Sequence, residues 1–185
     1  MPAKSLLRAI LIGGLLVVPA TAADLEKPIP RVPRVDLPRF MGDWYVIAHI
    51  PSRIERHAYN AVESYALRPD GRVQTTFQYR NDAFDAPLWT MRPVGYVRPG
   101  TENAVWGMQF VWPIKAEYVI VYVNDDYTQT IVGRTARDYA WVMARTPTIP
   151  AAHYAAAVER LSQLGYSLAN LRRVPQQWPE AEGRH

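Results

Sequence analysis

The chain contains no cysteine, which excludes disulfide staples, thiolate metal sites, cysteine nucleophiles and lipid attachment at a cysteine behind a leader. Basic residues never form a run. No phosphate-binding stripe of the kind nucleic-acid proteins carry is present, so nucleic acid is not an expected partner. No apolar stretch reaches the ~20 residues that a membrane-crossing helix needs. The nearest, Ala9 to Val18, follows Lys4 and Arg8 and ends in Ala20-Thr21-Ala22. That is the layout of a secretory signal peptide over residues 1–22, cleaved after Ala22. Its removal leaves 19 basic against 17 acidic residues, a net charge of +2. There is also no His-x-x-x-His and no carboxylate pairing at ligand spacing, so no metal and no cofactor are expected. Ser52 and Ser64 lack the context of a nucleophile elbow.

A secreted domain without disulfides depends on its hydrophobic core, and 185 residues suit one domain with such a core. Behind the signal, residues 23–37 form an arm punctuated by Pro28, Pro30 and Pro33, with Pro38 just beyond. Prolines at that density forbid a regular helix or a central strand, so the arm is extended. One reading makes it a floppy linker. The other lays it across one end of the domain with Leu37 and Phe40 docked.

From Gly42 to about Arg145 the pattern has period two, broken by turn signals at Pro69-Asp70-Gly71, Asn81-Asp82, Arg98-Pro99-Gly100, Asn124-Asp125-Asp126 and Ala136-Arg137-Asp138. Eight strands are expected: Trp44 to Ile50, Val62 to Leu67, Arg72 to Tyr79, Leu88 to Val97, Ala104 to Trp112, Glu117 to Val123, Thr128 to Arg134 and Tyr139 to Arg145. Eight antiparallel strands can close into an up-and-down barrel with room for one small ligand. A helix follows, with Tyr154, Val158, Leu161 and Leu164 on one stripe and Gly165 as its stop. It packs against the outside of the barrel, with Glu159, Arg160 and Gln163 toward water. The run Tyr166 to Val174 returns beside the barrel, and residues 179–185 are a polar tail.

Parity selects the side chains that face inward. Tyr65 and Leu67, Phe77 and Tyr79, Trp106, Met108, Phe110 and Trp112, and Tyr118, Ile120 and Tyr122 form an aromatic lumen with tyrosine hydroxyls as polar handles. Such a lumen suits an apolar ligand. The same pattern fits a packed core with no cavity. Glu63 shares parity with Tyr65; an acidic group in an apolar cup has either a raised pKa or a basic partner. Arg53, Arg56, His57 and Arg80 are candidates for a head group at the open end. In the first strand His49 alternates outward from Trp44, which makes it a surface histidine and argues against acid–base chemistry with Glu55 or Asp43.

Gly42-x-Trp44-Tyr45, then Asp125-Asp126-Tyr127, then Arg145 closing Tyr139-Ala140-Trp141-Val142-Met143-Ala144-Arg145 resemble, in order and spacing, the three short signatures of the lipocalins. Met41 to Arg56, Tyr65 to Gly71 and Ala144 to Ile149 extend the similarity toward the bacterial lipocalins and apolipoprotein D, over about residues 38–178. The resemblance implies an all-β fold, an eight-stranded antiparallel up-and-down calyx with a C-terminal α-helix packed on its outside. It also implies a closed end where Trp44 meets Arg145, with Gly42, Asp126 and Tyr127 shaping the turns there. A guanidinium flat on an indole gains cation–π attraction of about 1 to 2 kcal/mol, a structural role. Many bacterial relatives are anchored through a lipobox cysteine that this chain lacks, so a soluble periplasmic protein is expected.

The expected function is to bind and carry or store a small hydrophobic ligand, such as a fatty acid or lysophospholipid, in the barrel. The alternative is an enzyme acting on an apolar molecule within the cup; lipocalins with isomerase activity use a cysteine that is missing here. Peripheral membrane contact is compatible with this reading, and so are both a monomer and a homodimer.

Overall fold

The computed structural model describes residues 27–180. The signal peptide expected at 1–22 and the last five residues of the tail lie outside them. The chain order is α1 (Leu37–Phe40), β1 (Gly42–Ile50), β2 (Ala58–Leu67), β3 (Val73–Asn81), β4 (Leu88–Met91), β5 (Val94–Val97), β6 (Val105–Val111), β7 (Ile114–Val123), β8 (Gln129–Gly133) and β9 (Ala140–Ala144). Then come α2 (Ala151–Gln163), a 3-10 turn at Leu168–Asn170 and a two-residue β10 (Arg172–Arg173). All pairings are antiparallel, most of them between chain neighbours, and β9 returns to β1, closing the barrel.

The strand expected over Leu88 to Val97 is broken in two at Arg92-Pro93. Proline has no N–H to give the ladder, so β3 bonds β4 through Phe77 to Arg80 and β5 through Val73 and Gln74, while Thr75 N donates to Pro93 O between them. Counting β4 and β5 as one broken strand leaves eight in the barrel. β10 is extra: β2 follows β1 only over Gly42 to Tyr45, and Arg172 and Arg173 take the edge freed at His49 and Ala48. The ladder is thereby completed by the C-terminal segment.

Two apolar layers result from the pleat. One fills the barrel, with Trp44, Val46, Tyr65, Phe77, Trp106, Met108, Tyr118 and Met143. The other lies outside the wall, where Ala48, Ile50, Val121, Ile131 and Val142 meet Ala157 and Leu161 of α2, and Tyr166. The helix ends where expected. Gly165 has φ +85°, its N–H reaches Ser162 O, and Tyr166 N reaches Leu161 O, the paired bonds that close a helix through a left-handed residue. Arg160, read as water-facing, is exposed but lays its guanidinium 4.3 Å from the Tyr122 ring centre.

The arm is extended from Lys27 to Asp36 and bonded to the barrel, Val32 N to Ile120 O and Val35 N to Glu102 O. It does contain one helical turn, contrary to the expectation from its prolines. Pro38 sits in the first turn of α1, where its missing N–H has no partner to lose, and Asp36 caps the turn by accepting from Arg39 N. Phe40, at the end of that turn, is fully buried in the barrel core.

Candidate functional site

One end of the barrel is plugged. The Arg145 guanidinium lies 3.8 Å from the Trp44 ring centre. It donates to the carbonyls of Asp43 and Met41 at 2.7 Å, Arg39 at 2.9 Å, and Phe40 and Tyr127 at 3.2 Å. Trp44 Nε1 donates to Phe40 O, 2.8 Å away. One side chain thus joins α1, β1 and the turn after β7. Gly42 permits this: its φ is +89°, and a Cβ there would stand 3.4 Å from the guanidinium. Tyr127, at φ +57°, is covered by Arg39 at 4.3 Å and accepts from Asp36 N through its hydroxyl. Asp126 is exposed and does not tie the turn. Asn124 does, its side-chain oxygen accepting from Thr128 N and Gln129 N at 2.8 Å.

At the other end a cavity of about 230 Å³ opens between the loops. Phe77, Met91, Met108, Phe110, Tyr118 and Trp141 supply most of its wall, and Glu55, Glu63, Glu117 and Arg134 also border it. Below it the barrel is filled. Trp106 stacks on Tyr118 with ring centres 5.1 Å apart and 11° between planes, and Phe40 and Tyr65 meet Trp106 edge-on. The cup is therefore shallow, its floor made of aromatics.

Of the side chains expected to line the lumen, Tyr65, Phe77, Tyr79, Trp106, Met108, Tyr118 and Ile120 lie in the inner core. Phe77, Met108 and Tyr118 reach the open cavity, as does Phe110, which is half exposed at the mouth. Three expected side chains are elsewhere. Tyr122 is outside the barrel beneath α2, because the β7–β8 register slips between Ile120 and Tyr122 and inverts the alternation. Leu67 shares a face with its partner Val73 but lies beyond the floor and is 43 % exposed. Trp112, at the β6–β7 turn, is 82 % exposed.

His49 is likewise opposite to expectation. The β1–β9 register slips between Val46 and Ala48, so His49 pairs with Trp141 and shares its inward face. It is fully buried, and neither ring nitrogen has a hydrogen-bond partner among the described residues. Burial, then Arg172, lowers its pKa from 6.5 to about 3. Its Nδ1 is 3.9 Å from Glu55 Oε2, but a neutral imidazole makes no ion pair there.

Glu63 points inward, opposite Phe77. Tyr118 and Tyr65 join hydroxyls, and Tyr65 passes its proton donation to Glu63 Oε2. Burial, with repulsion from Glu55, pushes the Glu63 carboxyl up to about 7 despite that bond. Burial raises Glu55 as well, although Trp141 Nε1 at 3.2 Å and Ser52 N at 3.1 Å donate to it. Among the lining residues that parity did not nominate, Glu55 comes from the loop after β1, Met91 from the end of β4, and Tyr139 and Trp141 from the residue before β9 and from β9 itself. The alternation Tyr139-Ala140-Trp141 carried the signal for two of them.

None of Arg53, Arg56, His57 and Arg80 lines the cavity. Arg53 and Arg56 border an outer hollow beside Arg172, and His57 is exposed next to Asp82. Arg80 is on the outer face, tied to Glu180 at 2.5 Å. It borders an outer hollow of about 440 Å³ that is lined by Asp82, Asp85 and Glu180 as well. No group of three or more histidines and carboxylates able to hold a metal occurs among the described residues. Nor is any described helix long and apolar enough to cross a membrane.

A family profile described as a lipocalin-like domain matches residues 35–176. Temperature-induced lipocalin-1 of Arabidopsis thaliana is 26 % identical over 166 residues, covering 82 % of this chain and 84 % of that protein. The outer membrane lipoprotein Blc of Escherichia coli K12 is 28 % identical over 135 residues, 72 % and 75 % of the two chains. Among solved structures, insecticyanin of the tobacco hornworm Manduca sexta superposes with a TM-score of 0.64 at 13 % identity, over 81 % of this chain and 85 % of its own. Apocrustacyanin C2 gives 0.63 at 10 % identity, over 82 % and 92 %.

Proposed function

From the premise that the chain belongs to the lipocalin-like domain family, whose members bind small hydrophobic ligands, we propose that it carries or stores a small lipid-like molecule in its barrel cavity. Fatty acids and lysophospholipids define the size class, and the setting is the periplasm, in maintenance of the cell envelope. The observation that carries the reading is the apolar cup, open at one end and floored by aromatics at the other. Burying ten methylenes there contributes up to ~8 kcal/mol before ordering costs, enough for micromolar binding. The action is binding without turnover.

The mouth supports peripheral contact with a membrane. Ile54, Trp89, Phe110, Val111, Trp112 and Ile114 stand exposed on the open-end loops and strand ends, Trp112 and Ile114 by 82 % and 71 %. An apolar rim of this kind favours a membrane interface, where indoles settle at head-group depth. The secretory leader and the Blc relatives, outer membrane lipoproteins by name, agree with an envelope location. Displacement of N-phenyl-1-naphthylamine by ten- to sixteen-carbon amphiphiles tests the cup. Saturable displacement in the micromolar range is expected, and no uptake of probe or amphiphile would refute the reading.

A further inference from the structure

We propose that the cup takes an amphiphile whose head is a protonated or quaternary ammonium, inserted head-first toward Glu63. The proposal rests on reading the lumen as a ligand cup and adds the chemistry of the head. Glu63 stands one pleat above Tyr65, so it marks the deep end of the cavity. The Tyr118 and Tyr65 hydroxyls run as a donor chain into its Oε2, and no protein group among the described residues meets its Oε1. A second carboxylate, Glu55, borders the same cavity.

Among the described residues no protein cation answers this pair. Arg134 is the one arginine or lysine bordering the cavity; it follows the last residue of β8 at the open end and is bonded to Asp138 at 3.0 Å. His49, which turns toward the lumen beside Glu55, is fully buried with both nitrogens unpartnered and stays neutral. It is not part of the cavity wall and brings no positive charge to the two carboxylates. Two carboxylates that face one cavity without a protein counter-charge attract positive charge, and a cationic head supplies it.

The wall suits the same head. Phe77, Tyr118 and Trp141 line the space next to the carboxylates, and a cation beside aromatic rings can be attracted to a ring face without a hydrogen bond from each. A carboxylate head lowered into the cup meets two like charges instead. Held at the mouth by Arg134, whose Nε is unpartnered among the described residues, it leaves its tail against Glu63.

The test compares three ten-carbon amphiphiles, decyltrimethylammonium, decanol and decanoate, as competitors of N-phenyl-1-naphthylamine at pH 8. The ammonium is expected to displace the probe at concentrations at least ~10-fold lower than decanoate. Glu63→Gln is expected to erase that ratio. Decanoate binding as tightly as the ammonium in the wild-type protein overturns the proposal without recourse to any variant, and the cup reading survives. A ratio that persists in E63Q overturns it too. Failure of all three amphiphiles and the probe to bind removes the cup reading, and this proposal with it.

Discussion

Glu63→Gln is expected to stabilise the protein at pH 8 and to have little effect at pH 4.5. The folded-state carboxyl has its pKa raised from 4.5 to about 7, chiefly by burial. Between those values the folded chain keeps a proton that the unfolded chain has lost, so stability falls as pH rises through the window and the full loss is present above pH 7. At about 1.4 kcal/mol per unit the loss approaches about 3 kcal/mol, an upper figure because cavity water can reach the group. His49 acts with the opposite sign. Its pKa is lowered from 6.5 to about 3, so its contribution is complete above pH 6.5 and is lost as pH falls toward 3. Glu55, which burial also raises, adds a slope of the same sign as Glu63. The comparison of the two proteins isolates Glu63, because the Glu55 and His49 slopes are common to both: E63Q gains stability over the wild-type protein as pH rises from 4.5 to 7, and the gain then levels. Urea denaturation at pH 4.5, 6 and 8 measures this. A variant destabilised equally at all three pH values would refute the assignment of a buried, proton-holding Glu63.

The closed end supplies two further expectations. Trp44→Ala should cost about 3–5 kcal/mol in urea denaturation while leaving the order of ligand preference unchanged, because the indole is buried beneath the floor. Arg145→Ala strips five carbonyls of their shared donor and should cost about 2–4 kcal/mol, with Arg145→Lys recovering only part; equal stability of the two variants would contradict the bonded geometry. On the outer wall, Gly133→Ala would place a methyl 2.4 Å from the Tyr166 hydroxyl and 3.2 Å from Ile29. That hydroxyl is fixed by Arg134 N and the carbonyls of Arg134 and Tyr139, so a loss of about 1–3 kcal/mol is expected, and Tyr166→Phe in the same chain should restore part of it.

The barrel was readable because inside and outside alternate, and because the motif residues Gly42, Trp44 and Arg145 lie far apart in sequence at recognisable spacing. Where alternation is unbroken, as from Val73 to Tyr79, parity assigns each side chain to its layer. Where a strand slips by one residue the pattern gives no warning. The slips beyond Val46 and Ile120 put His49 inside and Tyr122 outside, the reverse of simple counting. Both apolar layers here are hydrophobic, so composition could not correct the parity. The depth of the cup was hidden for another reason. Whether Trp106 and Tyr118 stack into a floor or line an open lumen depends also on Phe40, which comes from outside the strands and meets Trp106 edge-on. Glu55 and Trp141 met only through the folding of a loop onto the last strand, a contact across 86 positions that no local pattern encodes.

The most direct measurement is binding of N-phenyl-1-naphthylamine to the wild-type protein and to Ala116→Phe, in which a ring would occupy the cavity wall. Saturable uptake of one probe per chain by the wild-type protein, lost in the variant while its unfolding transition is retained, is the predicted result. Uptake that is absent in the wild-type protein, or untouched when the cavity is filled, would contradict a ligand cup inside this barrel.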